Sequence, residues 1–355
     1  MKLLIVTQKI DRDDSDLGFF WCWVLHFAQS FEKVTVICLE RGRSPAGEIS
    51  SEKVEILSLG KEDGVSRAEY VRRFWKYIRE RRSDYDCVFV HMNPEYVLLG
   101  GLFWRWWGKK VILWYTHGTV TMKLRIAVLL SSVTLTATKK SCRVSSKKVR
   151  VVGHGIDTEY FKEWTRVPDK TMKLITVGRV SPVKDFETII HALGRVKEAG
   201  FQFVFTVVGG PVTTSDGVYL EKLRSLVGQT KLVLGKDVVF SGPVFHRDVL
   251  GYLNGADLFL HASRTGSLDK VVLEAMATAL PVLSSSEASK EVFGEHVEEL
   301  PFREGDDETL AKKILAFSKK SQEERNLLGF KLHTIVRRNH SLTHLVNKIR
   351  ELCAA

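Results

Sequence analysis

Short apolar runs alternate with longer amphipathic stretches along most of this sequence, and that alternation constrains the fold more than any other feature. Residues 2–8 (KLLIVTQ) and 33–40 (KVTVICLE) predict buried strands, and residues 19–31 between them predict an apolar helix. Strands that alternate with helices form parallel sheets that are covered on both faces. The sequence therefore predicts an α/β fold.

The same alternation begins again in the second half of the chain. Further strands are predicted at residues 173–180, 201–210, 237–244 and 256–263. Between the halves, at residues 157–170, the pattern lapses and Pro168 occurs, which predicts a hinge. We therefore predict two doubly wound, Rossmann-like domains, at residues 1–160 and 170–338, followed by a helix at residues 339–355.

Ligands of doubly wound sheets bind beyond the carboxyl ends of the strands. Two such sheets are therefore expected to face each other across a cleft that holds the ligand. Candidate site residues are those that follow the predicted strands.

The composition excludes several classes of protein. Of the 355 residues, 44% are hydrophobic and 27% are charged, as is usual for a globular chain, and no apolar run predicts a transmembrane helix. The five cysteines, at positions 22, 38, 87, 142 and 353, suggest neither a disulfide framework nor a metal site, so a cytoplasmic location is predicted. No His, Cys, Asp and Glu cluster has metal-ligand spacing, so no metal and no resident cofactor is predicted.

Positive charge is concentrated in the first half of the chain. The net charge is +11, and Lys and Arg outnumber Asp and Glu by 26 to 16 in residues 1–150 but by only 27 to 26 in residues 151–355. Between Glu95 and Asp157 there are 11 bases and no acid. This asymmetry favours a polyanionic partner, either nucleic acid, an anionic membrane or a phosphorylated substrate, although a basic surface can also serve solubility alone.

One segment of this basic region favours an anionic membrane as the partner. Residues 98–110 place aromatic rings among bases: Phe103, Trp104, Arg105, Trp106, Trp107, Lys109 and Lys110. Aromatic rings prefer the headgroup zone and bases are drawn to anionic lipid, so peripheral docking on the inner face of the membrane is predicted. The alternative is that the tryptophans pack in the core and the bases line a groove for an anionic acceptor. No nucleic-acid-binding motif is present, so nucleic acid is not predicted as a partner.

Two places at predicted strand ends are candidates for binding phosphate. Arg179 and Lys184 precede a helix that begins near Asp185, whose N-terminal amides favour an anion. Gly18 opens the first helix, where a glycine would let a phosphate approach free amides. The alternatives are surface charges and a turn glycine. Neither a G-x-G-x-x-G motif after the first strand nor a Walker A motif is present, which counts against a plain dinucleotide dehydrogenase.

Two histidines lie at the ends of neighbouring predicted strands, which span residues 86–92 and 109–118. His91 and His117 would lie at one rim, where an imidazole can hydrogen-bond a sugar hydroxyl or a phosphate. The alternative for each is a satisfied buried histidine.

Six segments occur in an order and spacing similar to those of a known family. They are VGHGIDTEYF, LITVGRVSPVKDFETIIHAL, FTVVGG, VVFSGPV, LNGADLFLHAS and VVLEAMATALPVLSS. The chain resembles the retaining glycosyltransferases of family 4, which have the GT-B fold, over nearly its whole length. The resemblance implies a nucleotide sugar held mainly by the C-terminal domain, and a C-terminal helix that crosses back to the N-terminal domain.

Position by position, the resemblance also implies a donor site. Arg179 and Lys184 resemble the family's diphosphate-binding pair, and Glu274 resembles the second acid of its E-x7-E motif, which hydrogen-bonds the ribose. Val244 falls where backbone groups meet the base, and His117 resembles the histidine that contacts the donor. The complete set of predicted donor-binding residues is Gly18, Arg179, Lys184, Gly209, Val244, Lys270, Val271 and Glu274. The predicted catalytic residues are His117, Asp269, Arg179 and Lys184.

The sequence departs from the family pattern at the first acid of E-x7-E, where Gly266 stands eight residues before Glu274. Asp269 could supply the missing carboxylate, sugar recognition could have changed, or catalysis could be lost. We favour the first interpretation, and the alternative for Asp269 and Lys270 is an exposed surface pair.

The predicted function is the transfer of a hexose from a nucleoside-diphosphate sugar to a glycan or lipid-linked glycan, with retention of configuration and without a metal. A nucleotide-sugar epimerase of the same fold and a non-catalytic nucleotide- or glycan-binding subunit are the alternatives.

Overall fold

The computed structural model describes residues 1–14, 17–42, 52–167, 169–264 and 266–355. The chain divides into two compact units. The first contains Met1–Asp157 together with His340–Ala355, and the second contains Thr158–Asn339. Pro168, which falls in the predicted hinge, lies outside the described residues.

Regular elements alternate along the chain as the sequence pattern predicts. The strands are β1 (Lys2–Ile10), β2 (Lys33–Arg41), β3 (Val54–Ser58), β4 (Cys87–His91), β5 (Lys110–Trp114), β6 (Val133–Thr136), β7 (Val149–Val151), β8 (Met172–Val177), β9 (Phe203–Val208), β10 (Val238–Gly242), β11 (Leu258–His261) and β12 (Val282–Ser284). The helices are α1 (Phe19–Ser30), α2 (Arg67–Glu80), α3 (Pro94–Trp106), α4 (Met122–Leu130), α5 (Phe186–Glu198), α6 (Thr214–Gln229), α7 (Val249–Asn254), α8 (Lys270–Ala277), α9 (Glu287–Lys290), α10 (Asp307–Ser318), α11 (Gln322–Asn339) and α12 (Leu342–Ala354).

The first unit is built on a parallel sheet whose strands lie in the order β3-β2-β1-β4-β5-β6-β7. Side chains of β1 alternate between two cores: Leu3 and Ile5 face one, and Leu4 and Val6 face the other. Helices α1 and α12 cover the first core, and α2, α3 and α4 cover the second. A sheet buried on both faces accounts for the continuous apolar runs of its strands.

The last helix belongs to the first unit. The backbone amides of Gly155 and Ile156 donate to the carbonyl of His340, and the amide of Leu342 donates to Ile156. Beyond this junction, the apolar stripe of α12 is buried in the same core as α1.

A disulfide links α12 to the sheet, and the prediction that the cysteines form no disulfide is wrong. Cys87 of β4 is bonded to Cys353 of α12, with Cα atoms 5.6 Å apart. Cys22, Cys38 and Cys142 lie outside this disulfide. The pairing could not be read from spacing, because it depends on where a distant helix packs.

The aromatic residues of α2 and α3 are divided between core and surface. Trp75 follows the buried Phe74 on α2, but it is itself 44% exposed. Trp104, expected among the membrane-facing rings, is buried and donates its indole N–H to the Tyr85 hydroxyl at 3.2 Å. Trp106 is 81% exposed. None of the helices within the described ranges combines the length and apolarity needed to span a bilayer.

The second unit is built on a parallel sheet with the strand order β10-β9-β8-β11-β12. The chain moves outward from β8 to β9 and β10, and then returns to place β11 on the other side of β8. Loops that leave β8 and β11 therefore diverge at the carboxyl edge of the sheet. Ligands of doubly wound sheets bind at such a switch point.

Helix α8 begins at this switch point, and a buried arginine fixes its far end. The guanidinium of Arg166 donates to the carbonyls of Thr278 and Ala279 at 3.0 and 2.9 Å, and to Ala256 at 2.6 Å. These carbonyls lie at the ends of α7 and α8, where a cation is favoured by the helix dipole. Arg166 thereby holds the helix that carries Glu274.

Candidate functional site

The candidate site lies at the carboxyl edge of the second unit's sheet. Residues 178–185 follow β8, and residues 262–269 follow β11 and lead into α8. An ion pair joins these two loops, because Lys184 Nζ lies 2.5 Å from Asp269 Oδ2. The predicted lysine and the predicted acid therefore meet at the switch point.

Asp269 is held from a second side by a histidine. His261, the last residue of β11, places Nε2 2.7 Å from Asp269 Oδ2, and its Nδ1 lies 2.8 Å from the Ser284 hydroxyl. Burial acts to raise the pKa of Asp269, but the charge of Lys184 and the hydrogen bond with His261 hold that pKa well below its usual range. Asp269 is therefore ionised at neutral pH and is not an exposed surface acid.

Glu274 has a parallel environment one turn into α8. Its side chain is buried, Lys270 forms an ion pair with Oε1, and His246 Nε2 lies 2.8 Å from the same oxygen. Lys270 Nζ also lies 3.1 Å from His246 Nε2. Burial acts to raise the pKa of Glu274, and the charges of Lys270 and His246 overcome this and lower it. A second ionised carboxylate is thus kept at the start of α8.

The loop that carries Lys184 has a tightly specified backbone. Gly178 and Gly209 have φ values of 152° and 128°, and a Cβ on Gly209 would lie 2.1 Å from the Gly178 carbonyl oxygen. Asp185 has a left-handed φ of 45°, and its buried carboxylate accepts a hydrogen bond from Arg264 at 2.6 Å. The close approach explains Gly209, and the anchored Asp185 fixes its neighbour Lys184.

Gly266, which replaces the acid of the family pattern, has a φ of 65°. This left-handed conformation favours glycine. A residue with a side chain, including the acid of the family pattern, would be strained in this backbone conformation.

Arg179 lies on the same loop as Lys184 but is exposed. Burial acts to raise the pKa of Asp216, while hydrogen bonds from Thr213 and Val212, together with the charge of Arg179, lower it.

Val244 and Val271 are half-buried, in the loop after β10 and in the first turn of α8 respectively. The predicted residues at this edge of the second sheet are Arg179, Lys184, Gly209, Val244, Asp269, Lys270, Val271 and Glu274.

The predicted residues of the first unit have different surroundings. His117 is exposed after β5, and its Nδ1 accepts a hydrogen bond from the Thr119 amide at 3.3 Å. His91 is buried and stacked on Phe20, and burial lowers its pKa to about 3. Both histidines were expected to hydrogen-bond a ligand at one rim of the sheet. This expectation is wrong for His91, whose neutral ring is packed in the core.

Gly18 was predicted to let a phosphate approach the free amides at the start of α1, and this role stays a prediction. Its N–H donates to the Asp14 carbonyl at 3.1 Å. A Cβ at this position would lie 2.5 Å from the same oxygen. Close packing of the loop against the helix explains the glycine.

His246 and His261 were missed as site residues by the sequence interpretation. His261 lies within an apolar run and was assigned only to a strand, while His246 follows the landmark VVFSGPV. Both are polar residues at or just beyond the carboxyl ends of strands, and this signal could have identified them. Within the described ranges, no group of three or more His, Cys, Asp or Glu side chains is arranged to hold a metal ion.

Comparisons with known proteins point to glycosyltransferases. The family model described as "Glycosyl transferases group 1" matches residues 171–320. The chain is 28% identical over 187 residues to WcaL of Escherichia coli (strain K12), which is named for a glycosyltransferase role in colanic acid biosynthesis. It is 26% identical over 151 residues to the sulfoquinovosyl transferase of Arabidopsis thaliana. These alignments cover 50% and 40% of this chain, but only 44% and 26% of the two relatives.

The likeness to solved structures covers the whole chain. HepE of Anabaena, in a crystal structure with UDP and glucose, matches with a TM-score of 0.76 at 16% identity, with 100% of both chains covered. The two parallel sheets with surrounding helices are thus those of the GT-B glycosyltransferases, and the predicted α/β, two-domain fold class is confirmed.

Proposed function

We propose that the chain is a glycosyltransferase that uses a nucleoside-diphosphate sugar as its donor. One observation carries this proposal: a lysine, a histidine and an ionised carboxylate, half-buried in one case and buried in the other, are grouped twice at the carboxyl edge of the second sheet. The two groups are Lys184, His261 and Asp269, and Lys270, His246 and Glu274. Buried charge is costly to maintain, and perturbed carboxylates cluster at functional sites. The match of residues 171–320 to a glycosyltransferase family model adds support.

Glu274 would bind the ribose of the donor. Its carboxylate stays ionised because Lys270 and His246 offset the cost of burial. An ionised carboxylate can accept charge-assisted hydrogen bonds from two vicinal hydroxyls. Arg166 and the packing of α8 would keep that carboxylate in place before the donor arrives.

Lys184 and Arg179 would bind the diphosphate. When the bond between the sugar and the diphosphate breaks, the electron pair moves to a phosphate oxygen, and negative charge grows there. Cations that are already in position stabilise that charge without reorganisation. Lys184 fits this role because Asp269 and the Gly178–Asp185 backbone fix it, whereas exposed Arg179 is free of such tight packing and could close on the phosphate as it binds.

Asp269 would act first as the residue that positions Lys184. Its Oδ2 contacts both Lys184 and His261. The same carboxylate is also proposed to supply the acid that Gly266 replaces.

The finer reaction we propose is transfer of a hexose to a glycan or lipid-linked glycan with retention. The acceptor hydroxyl would attack on the face from which the diphosphate leaves and would give its proton to a diphosphate oxygen. Support comes from HepE, whose structure contains UDP and glucose, and from WcaL, which is named for colanic acid biosynthesis.

Calorimetric titration with UDP, GDP, ADP and their glucose conjugates tests the donor site, and donor hydrolysis then tests catalysis. We expect one nucleoside diphosphate to bind in the micromolar range, and its sugar conjugate to be hydrolysed slowly without acceptor. No binding of any nucleotide would contradict the proposal.

Gly266 favours a second candidate, a nucleotide-sugar-binding subunit without catalysis. Tight binding with neither hydrolysis nor transfer to mixed glycan acceptors would support it. Conversion of the donor alone into an epimer would instead identify an epimerase.

A further inference from the structure

The first unit exposes an aromatic and apolar surface on α2 and α3, which we call the α2–α3 face. Its apolar members, all exposed, are Trp75, Leu102, Phe103 and Trp106. Trp106 is 81% exposed, an extreme value for the largest side chain. Grouped exposed apolar side chains of this size mark interaction sites.

The rings of the α2–α3 face are held in place rather than scattered. The indole N–H of Trp75 donates to the Leu99 carbonyl at 3.0 Å, which fixes α2 to α3. Phe103 packs against Trp75 and Trp107, with ring centroids 6.5 and 5.9 Å apart. A groove of about 470 Å³ runs between the helices, lined by Trp75, Leu98, Leu99, Leu102, Phe103 and Trp106.

Bases surround the rings. Arg72, Lys76 and Arg79 are exposed on α2. Arg72 and Arg79 lie three residues before and four residues after Trp75, on the same side of the helix, and Lys76 is its neighbour in sequence. Arg105 is exposed on α3 beside Trp106. Helix α2 carries fewer acidic residues than basic ones. Glu69 is paired with Arg72 and Arg73, and Glu80 is exposed at the end of the helix. The excess charge is therefore positive.

We propose that the α2–α3 face docks on an anionic bilayer. A bilayer offers negative headgroups to the bases and an apolar layer to Leu102 and Trp106, and tryptophan favours the boundary between them. A second copy of the chain fits less well, because a two-fold contact would place each set of bases against itself. The proposal uses no residue of the donor site.

Docking here would bring the first unit to the membrane surface. An amphiphilic acceptor could then be presented from the bilayer, which would explain why this unit, and not the second, carries the excess charge. Membrane binding itself does not depend on the proposed transferase activity, so the two ideas fail separately.

Co-sedimentation of the full chain with vesicles tests the proposal. We expect binding to phosphatidylcholine vesicles that contain about 30% phosphatidylglycerol, little binding to phosphatidylcholine alone, and loss of binding at about 0.5 M salt, where exposed charges are screened. Equal binding to both vesicles, or none at low salt, would overturn it.

Two pairs of substitutions locate the contact. Leu102→Ser with Trp106→Ser should weaken partition to anionic vesicles by about tenfold or more, because the inserted apolar groups are removed. Lys76→Glu with Arg79→Glu should weaken it by at least about fivefold for each base removed, equivalent to ~1 kcal/mol per base.

Matched controls come from the second unit. Val218→Ser removes an exposed apolar group. Lys236→Glu replaces one exposed base by an acid, which is the same change in charge as either Lys76→Glu or Arg79→Glu. Neither should alter partition, and all variants should keep the wild-type circular dichroism spectrum and nucleotide affinity. Equal loss in the controls would contradict docking through the α2–α3 face, as would dimers that Trp106→Ser abolishes.

Discussion

The charged residues of the proposed donor site have roles that depend on their surroundings as well as on their residue type. Glu274 could be a structural carboxylate, since Lys270 and His246 already satisfy Oε1. It could equally be a ribose ligand that these partners keep ionised. A substitution that removes charge while keeping shape separates the two, because only the second role reaches the ligand.

Glu274→Gln is expected to raise the dissociation constant of the bound nucleoside diphosphate by roughly 10- to 100-fold. The amide is uncharged, and a hydrogen bond to a charged partner is worth roughly 1.5–3 kcal/mol. Calorimetry with the normal and the 2′,3′-dideoxy nucleotide checks the ribose contact. The dideoxy ligand should bind the wild type and the variant about equally. The exposed Glu221→Gln serves as the control.

Asp269→Asn is expected to lower kcat for donor hydrolysis and transfer by at least about tenfold, while the affinity for the bare diphosphate changes little. The variant leaves Lys184 without its negative partner, so the cation is less well placed when charge develops in the transition state. Equal losses in kcat and in diphosphate affinity would indicate a collapsed loop instead of a positioning role.

At the scale of elements, the sequence predicts the strands and helices that have long, regular patterns. The two sheets follow from apolar runs such as β1 and β8, because a sheet buried on both faces needs apolar residues throughout. The short β6 and β7 were not predicted, since their few residues carry little periodicity. The predicted strand at residues 109–118 ends at Trp114, because the polar residues after it leave the sheet.

The proposed donor site was predictable only in part for a related reason. Lys184 and Glu274 lie in segments that resemble a known family, and Asp269 lies between two of these segments. Their histidine partners depend on contacts between different strands and loops, which sequence spacing does not report. The Gly178–Gly209 contact is likewise tertiary: Gly209 is required because a Cβ there would lie 2.1 Å from the carbonyl oxygen of Gly178, which follows a different strand.

Gly209→Ala is expected to disturb both loops and to weaken nucleotide binding by about tenfold or more. The new Cβ would lie 2.1 Å from the Gly178 carbonyl, and φ is 128°, so neither loop can keep its path. Gly217→Ala is the control, since the site lies in α6 with nothing within 4 Å of an added Cβ. That control should stabilise the chain by about 0.5–1 kcal/mol in urea unfolding.

At the scale of the whole molecule, the last helix ties the end of the chain to its first unit. The Cys87–Cys353 bond joins residues 266 positions apart. A cross-link stabilises chiefly by restricting the unfolded chain, more so for a longer loop. The segment of chain between the two bonded cysteines contains the whole second unit.

Cys353→Ser is therefore expected to lower the free energy of unfolding of the first unit by about 2–4 kcal/mol. Urea unfolding followed by tryptophan fluorescence measures it. The wild type treated with reductant should match the variant, and Cys22→Ser, which removes a thiol outside the disulfide, should leave stability unchanged. Identical unfolding of oxidised wild type and Cys353→Ser would show that the bond contributes nothing.

Stability should also depend on pH through two buried histidines of the first unit. Burial lowers the pKa of His91 to about 3 and that of His340 to about 4. An unfolded histidine titrates near 6.5, so between about pH 6.5 and 4 the unfolded chain binds protons that the folded chain does not. The neutral rings contribute stability that is fully present above about pH 6.5 and falls as the pH drops, by up to about 1.4 kcal/mol per pH unit for each histidine.

Urea unfolding between about pH 7.5 and 4.5 measures this slope. His91→Gln with His340→Gln should flatten it, even though the lost packing lowers stability at every pH, because neither glutamine binds a proton. His191→Gln, at an exposed position of α5, should leave the slope unchanged. Asp269 and Glu274 have lowered pKa values, so their contribution is lost only as the pH falls below about 4, outside this window. An unchanged slope in the double variant would mean that other groups set the acid sensitivity of the first unit.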